Sequence, residues 1–118
     1  MRKTFELGKI NCFGHNKTDR KINAVEVSIA IRPNKFHQNG ETWILGEHFS
    51  VAACVYNSKH TDSIMNGQIL DELNDNYDDI RNNPLFAKIH RLWKLYHLKN
   101  INDIPKEDMD EINALMGN

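Results

Sequence analysis

The sequence predicts an α+β fold, a three-stranded antiparallel β-meander followed by two or three helices packed on the sheet. Three observations carry that prediction. Val25, Val27, Ile29 and Ile31 alternate with Ala24, Glu26, Ser28 and Ala30, the period of two that sends successive side chains to opposite faces of a strand. Leu85, Ile89, Leu92, Trp93 and Tyr96 instead recur at helical spacing. The polar stretches between the first three apolar segments are short, which favours neighbouring antiparallel strands.

The first strand changes phase: Phe5 and Leu7 are odd, Ile10 and Cys12 even, so a β-bulge is expected at Gly8. Residues 14–20 read as a polar hairpin loop. The second strand is the 24–31 alternation, expected to stop at Arg32-Pro33-Asn34 because Pro33 has no amide for a ladder. A loop from Asn34 to Glu41 follows, containing Asn39-Gly40, a pair that readily adopts positive φ. The third strand runs from Thr42 to about Tyr56 with a bend at Gly46, placing Phe49, Val51, Ala53 and Val55 on one face and Ala52, Cys54 and Tyr56 on the other.

Past Asn57 the period lengthens. Thr61 or Asp62 can cap a helix from about Ser63 to Asn74 with Met65, Ile69 and Leu73 on one stripe, and Gly67 inside it implies a close neighbour. Asn83-Pro84 starts the next helix, since Asn is a preferred N-cap and Pro at the first helical position loses no hydrogen bond. Asn100 is its expected stop. A last helix begins at Pro105, with Met109, Ile112, Leu115 and Met116 on one side and acidic residues (Glu107, Asp108, Asp110) at the positive end of its dipole. Trp93 and Ile89 are expected to pack under Val25, Val27 and Ile29. The expected organisation is one domain over 1–118, the meander at about 3–57 and the helical half at about 62–116.

Composition narrows the function classes. With 40% hydrophobic and 26% charged residues the chain can build a core without staples. A net charge of −1 is neither the basic footprint of a whole-molecule nucleic-acid binder nor the charge of a polyanion mimic. Two cysteines, no leader-like opening and no apolar run of the roughly 18–20 residues that span a bilayer place the expected location in the cytoplasm, away from membranes.

No pattern of chemistry stands out. Among the six histidines, His90 and His97 are the closest pair, seven apart and so about 10 Å along a helix axis, too far to share one ion. No metal or other cofactor is expected. Ser50, Ser58, Ser63 and Cys54 lack a nucleophile's context, and the glycines form no phosphate-cradling loop. The acidic run at 71–79 lacks a calcium loop's spacing and reads as a solvated helix end and linker. The expectation is a protein that is not an enzyme. One asymmetry remains: Lys88, Arg91, Lys94 and Lys99, with His90 and His97, lie away from the apolar stripe of the Pro84 helix, and Lys17, Arg20 and Lys21 sit in the first hairpin loop. These residues could meet phosphates. A solvated face opposite a core face, which nearly every amphipathic helix has, is the reading preferred for them.

His60-Thr61-Asp62-Ser63-Ile64-Met65-Asn66-Gly67-Gln68-Ile69-Leu70-Asp71, followed after a spacer by Arg91-Leu92-Trp93-Lys94-Leu95-Tyr96-His97-Leu98-Lys99-Asn100, resembles small phage and mobile-element proteins. In these, a TD…GGQ…D segment precedes a W…HLND helix end. The likeness covers about two thirds of the chain and departs at Asn66, where the family has its first Gly, and at Lys99-Asn100, where it has Asn-Asp. It implies a non-enzymatic accessory protein of phage or prophage origin that binds a host protein, its finest form an inhibitor of a defence complex such as Cas9 (anti-CRISPR-type). An exposed strand edge would offer one docking surface, and Trp43 and Tyr56 are anchor candidates, although a place in the core is the expectation for each. The alternative is a nucleic-acid-binding accessory protein using the basic face of the 84–99 helix.

Overall fold

A computed structural model describes residues 1–11, 22–57, 63–65 and 68–117. Its sheet has the order β1-β2-β3-β4, all antiparallel: β1 is Arg2–Asn11, β2 Ile22–Gln38, β3 Glu41–Asn57 and β4 Ser63–Met65. Helices α1 (Gln68–Asn76), α2 (Asp78–Arg81), α3 (Pro84–Tyr96) and α4 (Lys106–Met116) follow, with a 3₁₀ turn at Ile101–Asp103 before the last. The chain is therefore α+β, a meander followed by helices. The expected loop at 14–20, the helix cap at Thr61 or Asp62, Cys12 and Gly67 lie outside the described residues.

The register of β1 on β2 shifts between Glu6 and Gly8, and Gly8 holds φ +121°, so the phase change in the sequence is a bulge. Asn39 and Gly40 both have positive φ (52° and 78°), the two-residue type I′ turn whose twist suits a hairpin. Pro33 does not end β2, which runs on to Gln38. The reason is direction: Ile31 gives its N–H to Met1 on the β1 side, so Pro33, two residues on, turns its missing amide away from β3 and costs that ladder nothing.

One face of β2 and β3 (Val25, Val27, Ile29, Phe49, Val51, Ala53, Val55) packs on Ile69, Leu70 and Leu73 of α1, Ile80 of α2, Phe86, Ile89 and Leu92 of α3, and Ile112 and Met116 of α4. Asn83 caps α3, its side chain accepting from the amides of Leu85 (2.9 Å) and Phe86 (3.4 Å). Ile89 is fully buried as expected; Trp93 is only partly so, packed at the margin of that core.

Two helical expectations need correction. Ser63–Met65 is a short strand against Cys54–Tyr56, because β3's outer edge offers unpaired backbone groups there, and the helix begins only at Gln68. The 71–79 run is not all solvated linker: it spans the end of α1 and the start of α2, whose Ile80 enters the core. No helix of the described residues is long and apolar enough to cross a membrane.

Candidate functional site

Beyond Ile31 and Phe49 the β2–β3 hairpin leaves the rest of the sheet. β1 reaches only as far as Met1 beside Ile31, and β4 pairs only with Cys54–Tyr56. Residues 32–48 thus form a two-stranded arm. An isolated ribbon of two strands is marginal in water, so its side chains are ordinarily polar. This one exposes Phe36 (49%), Trp43 (52%), Ile44 (66%) and Leu45 (65%).

Their placement follows from a second bulge. Pro33 pairs with Glu47 but Lys35 with Ile44, so Asn34 faces both Leu45 and Gly46, and Gly46 takes φ +98°. Strict alternation from Phe49 and Val51 would send Trp43 to the core face. The extra residue reverses that parity: Trp43 stands opposite Phe36, on the side of the sheet away from the helices, with Leu45 two residues along. Ile44, opposite Lys35, faces the other way. The arm's charge is balanced, Arg32 and Lys35 on β2 against Glu41 and Glu47 on β3, and its tip (Gln38-Asn39-Gly40-Glu41) is polar.

The basic side of α3 is occupied from within the chain. Arg91 lies 3.3 Å from Asp108 and 3.7 Å from Glu111, Lys88 4.0 Å from Glu111, and Lys94 3.8 Å from Asp71, which also meets His90 at 3.1 Å. The Tyr96 hydroxyl donates to Asp108 as well. That bond, ahead of the Arg91 guanidinium, holds the Asp108 carboxyl below its ordinary range against the opposing pull of desolvation, and it pushes the Tyr96 phenol up. Lys99 is exposed, while Lys17 and Arg20 lie outside the described residues. The candidate phosphate face is therefore matched in charge by α1 and α4 at Lys88, Arg91 and Lys94.

At the arm's base, residues 97–100 lie along β3's outer edge. The Phe49 amide donates to Lys99 O (3.0 Å), the Leu98 amide to Phe49 O (2.7 Å), and the Val51 amide to His97 Nδ1 (3.1 Å). His48 bridges to Asn100 and bonds Asn34 Oδ1 at 2.6 Å. Burial, then His48, pushes the His97 imidazole below its ordinary pKa. Cys54 carries a free thiol, raised first by burial and then by Glu26. No group of three or more His, Cys, Asp or Glu side chains among the described residues is placed to hold a metal ion.

Comparison with protein-family models, with curated proteins and with solved structures returns no match. Of the two anchor candidates, Trp43 is on the exposed arm; the Tyr56 side chain lies outside the described residues. Phe36, Ile44 and Leu45 were not singled out by the sequence. The signal was present: bulky apolar residues on both sides of an Asn-Gly turn, with a glycine one register step beyond them.

Proposed function

We propose that the chain is a non-enzymatic binding protein that grips a partner protein with the 32–48 arm. The exposure of Phe36, Trp43, Ile44 and Leu45 on a ribbon beyond the core carries this reading, because bulky apolar and aromatic side chains are the usual anchors of protein interfaces. The arm's balanced charge disfavours a polyanion, and its polar tip disfavours insertion into lipid; apolar flanks behind a polar tip suit an arm lying along a protein surface. Pro33 and Lys35 blunt the β2 edge, so the arm's faces serve docking better than that edge. The finer reading, a phage or prophage accessory protein inhibiting a host defence complex such as Cas9, rests on the sequence resemblance, and its location in the bacterial cytoplasm belongs to the same proposal.

The test is retention. Immobilised chain is offered nuclease-treated bacterial lysate and, separately, purified Cas9. One protein should be held by the wild type and lost by Phe36→Ala/Trp43→Ala, whose circular dichroism stays unchanged. Equal retention by the double variant would remove the arm from the proposal, and retention of nucleic acid alone would replace it.

A further inference from the structure

We propose that segment 97–100 is a strap whose grip on β3 is released by protonation of His97, freeing a strand edge continuous with that of the arm. The inference stands apart from any role of the arm in binding.

The strap holds β3 by three bonds. Two are backbone bonds between Phe49 and the Leu98–Lys99 peptides; the third runs from the Val51 amide to His97 Nδ1, where a continuing strand would offer a carbonyl. The chain cannot supply that carbonyl because it has just left α3 and turns through Leu98, a non-glycine residue at φ +65°. The imidazole substitutes for it. An imidazole accepts only when neutral, so this geometry demands that the proton sit on Nε2. Protonation puts a second hydrogen on Nδ1, facing the Val51 N–H, and the bond becomes a contact between two donors.

Among the described residues, none beside the ring offers the resulting charge a carboxylate. From β3 the titratable neighbour is His48, and α3 adds the ring of Trp93, which does not titrate. Lifting the strap uncovers backbone groups at 49–51 that point the same way as the arm's outer edge, a site for an added antiparallel strand.

Amide hydrogen exchange read residue by residue by NMR on the full chain at pH 7.5 and pH 5.0 tests this, with Val27 on the central strand as internal reference. Protection of Phe49 and Val51, corrected for intrinsic exchange, should fall about five- to tenfold on acidification, the factor that losing one ordinary hydrogen bond carries, while Val27 holds. His97→Gln, whose amide oxygen accepts but does not titrate, should keep protection at both pH values. Unchanged protection in the wild type, an equal fall in the variant, or a parallel fall at Val27 would overturn the proposal. Should the variant not fold, the imidazole nitrogen shifts of the wild type decide: Nδ1 must be unprotonated at pH 7.5, and an Nδ1–H tautomer there refutes the latch.

Discussion

Phe49 and Phe36 lie in the same hairpin, and they have opposite fates. Phe49, fully buried, belongs to the half of β2–β3 that four helices cover; Phe36 belongs to the half that nothing in the described structure covers. Both halves alternate, and both carry large apolar side chains. What separates them is the face each takes: Phe49 points to the helices, and Phe36 to the opposite side of the sheet. Local pattern fixes that a side chain points to a face, whereas the rest of the chain determines whether that face is inside.

The largest expected effect tests that contrast directly. Phe49→Ala should cost about 3–5 kcal/mol in urea unfolding, through lost burial and the cavity left behind. Phe36→Ala should cost less than about 1 kcal/mol, the range of a surface substitution. Similar costs for the two would erase the distinction between body and arm.

The bulge offers a smaller lever. Gly46 holds φ +98°, and a Cβ there would stand 3.4 Å from the Asn100 side-chain nitrogen, so Gly46→Ala should lose about 1–2 kcal/mol by the same unfolding assay. The strain sits at the junction between arm and strap. A neutral outcome would mean that the junction relaxes freely and the arm is not held at a fixed angle.

Within the body, the α3–α4 contact can be examined by pH. Because the Asp108 carboxyl titrates below its ordinary value in the fold, its contribution is present above the unfolded pKa of 3.8 and is lost as pH falls through the lower folded value. Tyr96→Phe removes the chief cause, so the carboxyl titration followed by NMR should move upward, and the melting-temperature gap to wild type should shrink below about pH 4. A carboxyl that does not move would assign the effect to Arg91 instead.

The smallest effect expected is none. Lys88→Glu/Arg91→Glu/Lys94→Glu should leave DNA and RNA affinity at the background already shown by the wild type at about 150 mM salt, because those cations already face carboxylates. Salt-sensitive, sub-micromolar binding by the wild type that the triple variant loses would instead make the α3 face the functional one. Stability should fall, because each reversal removes an ion pair of about 0–1 kcal/mol and sets a carboxylate against Asp71, Asp108 or Glu111.

Much of the fold was legible, and for a physical reason: period and turn chemistry are local. The 24–31 alternation, the Gly8 bulge, the Asn39-Gly40 turn and the Asn83-Pro84 helix start all emerged from neighbouring residues. Pro33 misled because its cost depends on which side of the strand its missing amide faces, and that is set by β1, about thirty residues earlier. Asp71, Asp108 and Glu111 were invisible as partners of the α3 cations for the same reason. Trp43 was ambiguous because one extra residue reverses parity, and Gly46 alone does not announce whether it bends, bulges or turns. The arm became a candidate site only when the register placed Phe36, Trp43 and Leu45 on the face away from the helices.

Trp93 gives the molecule an optical consequence. Its ring lies between those of His90 (5.7 Å) and His97 (6.5 Å), and its indole N–H is buried with no partner among the described residues. The other of the chain's two tryptophans, Trp43, stands in solvent on the arm. Protonated imidazole quenches indole emission, so in a Trp43→Phe background the remaining fluorescence records the titration of His97. In a Trp93→Phe background the emission reports whatever settles on the arm. The chain thus holds two separable native chromophores, one for each half.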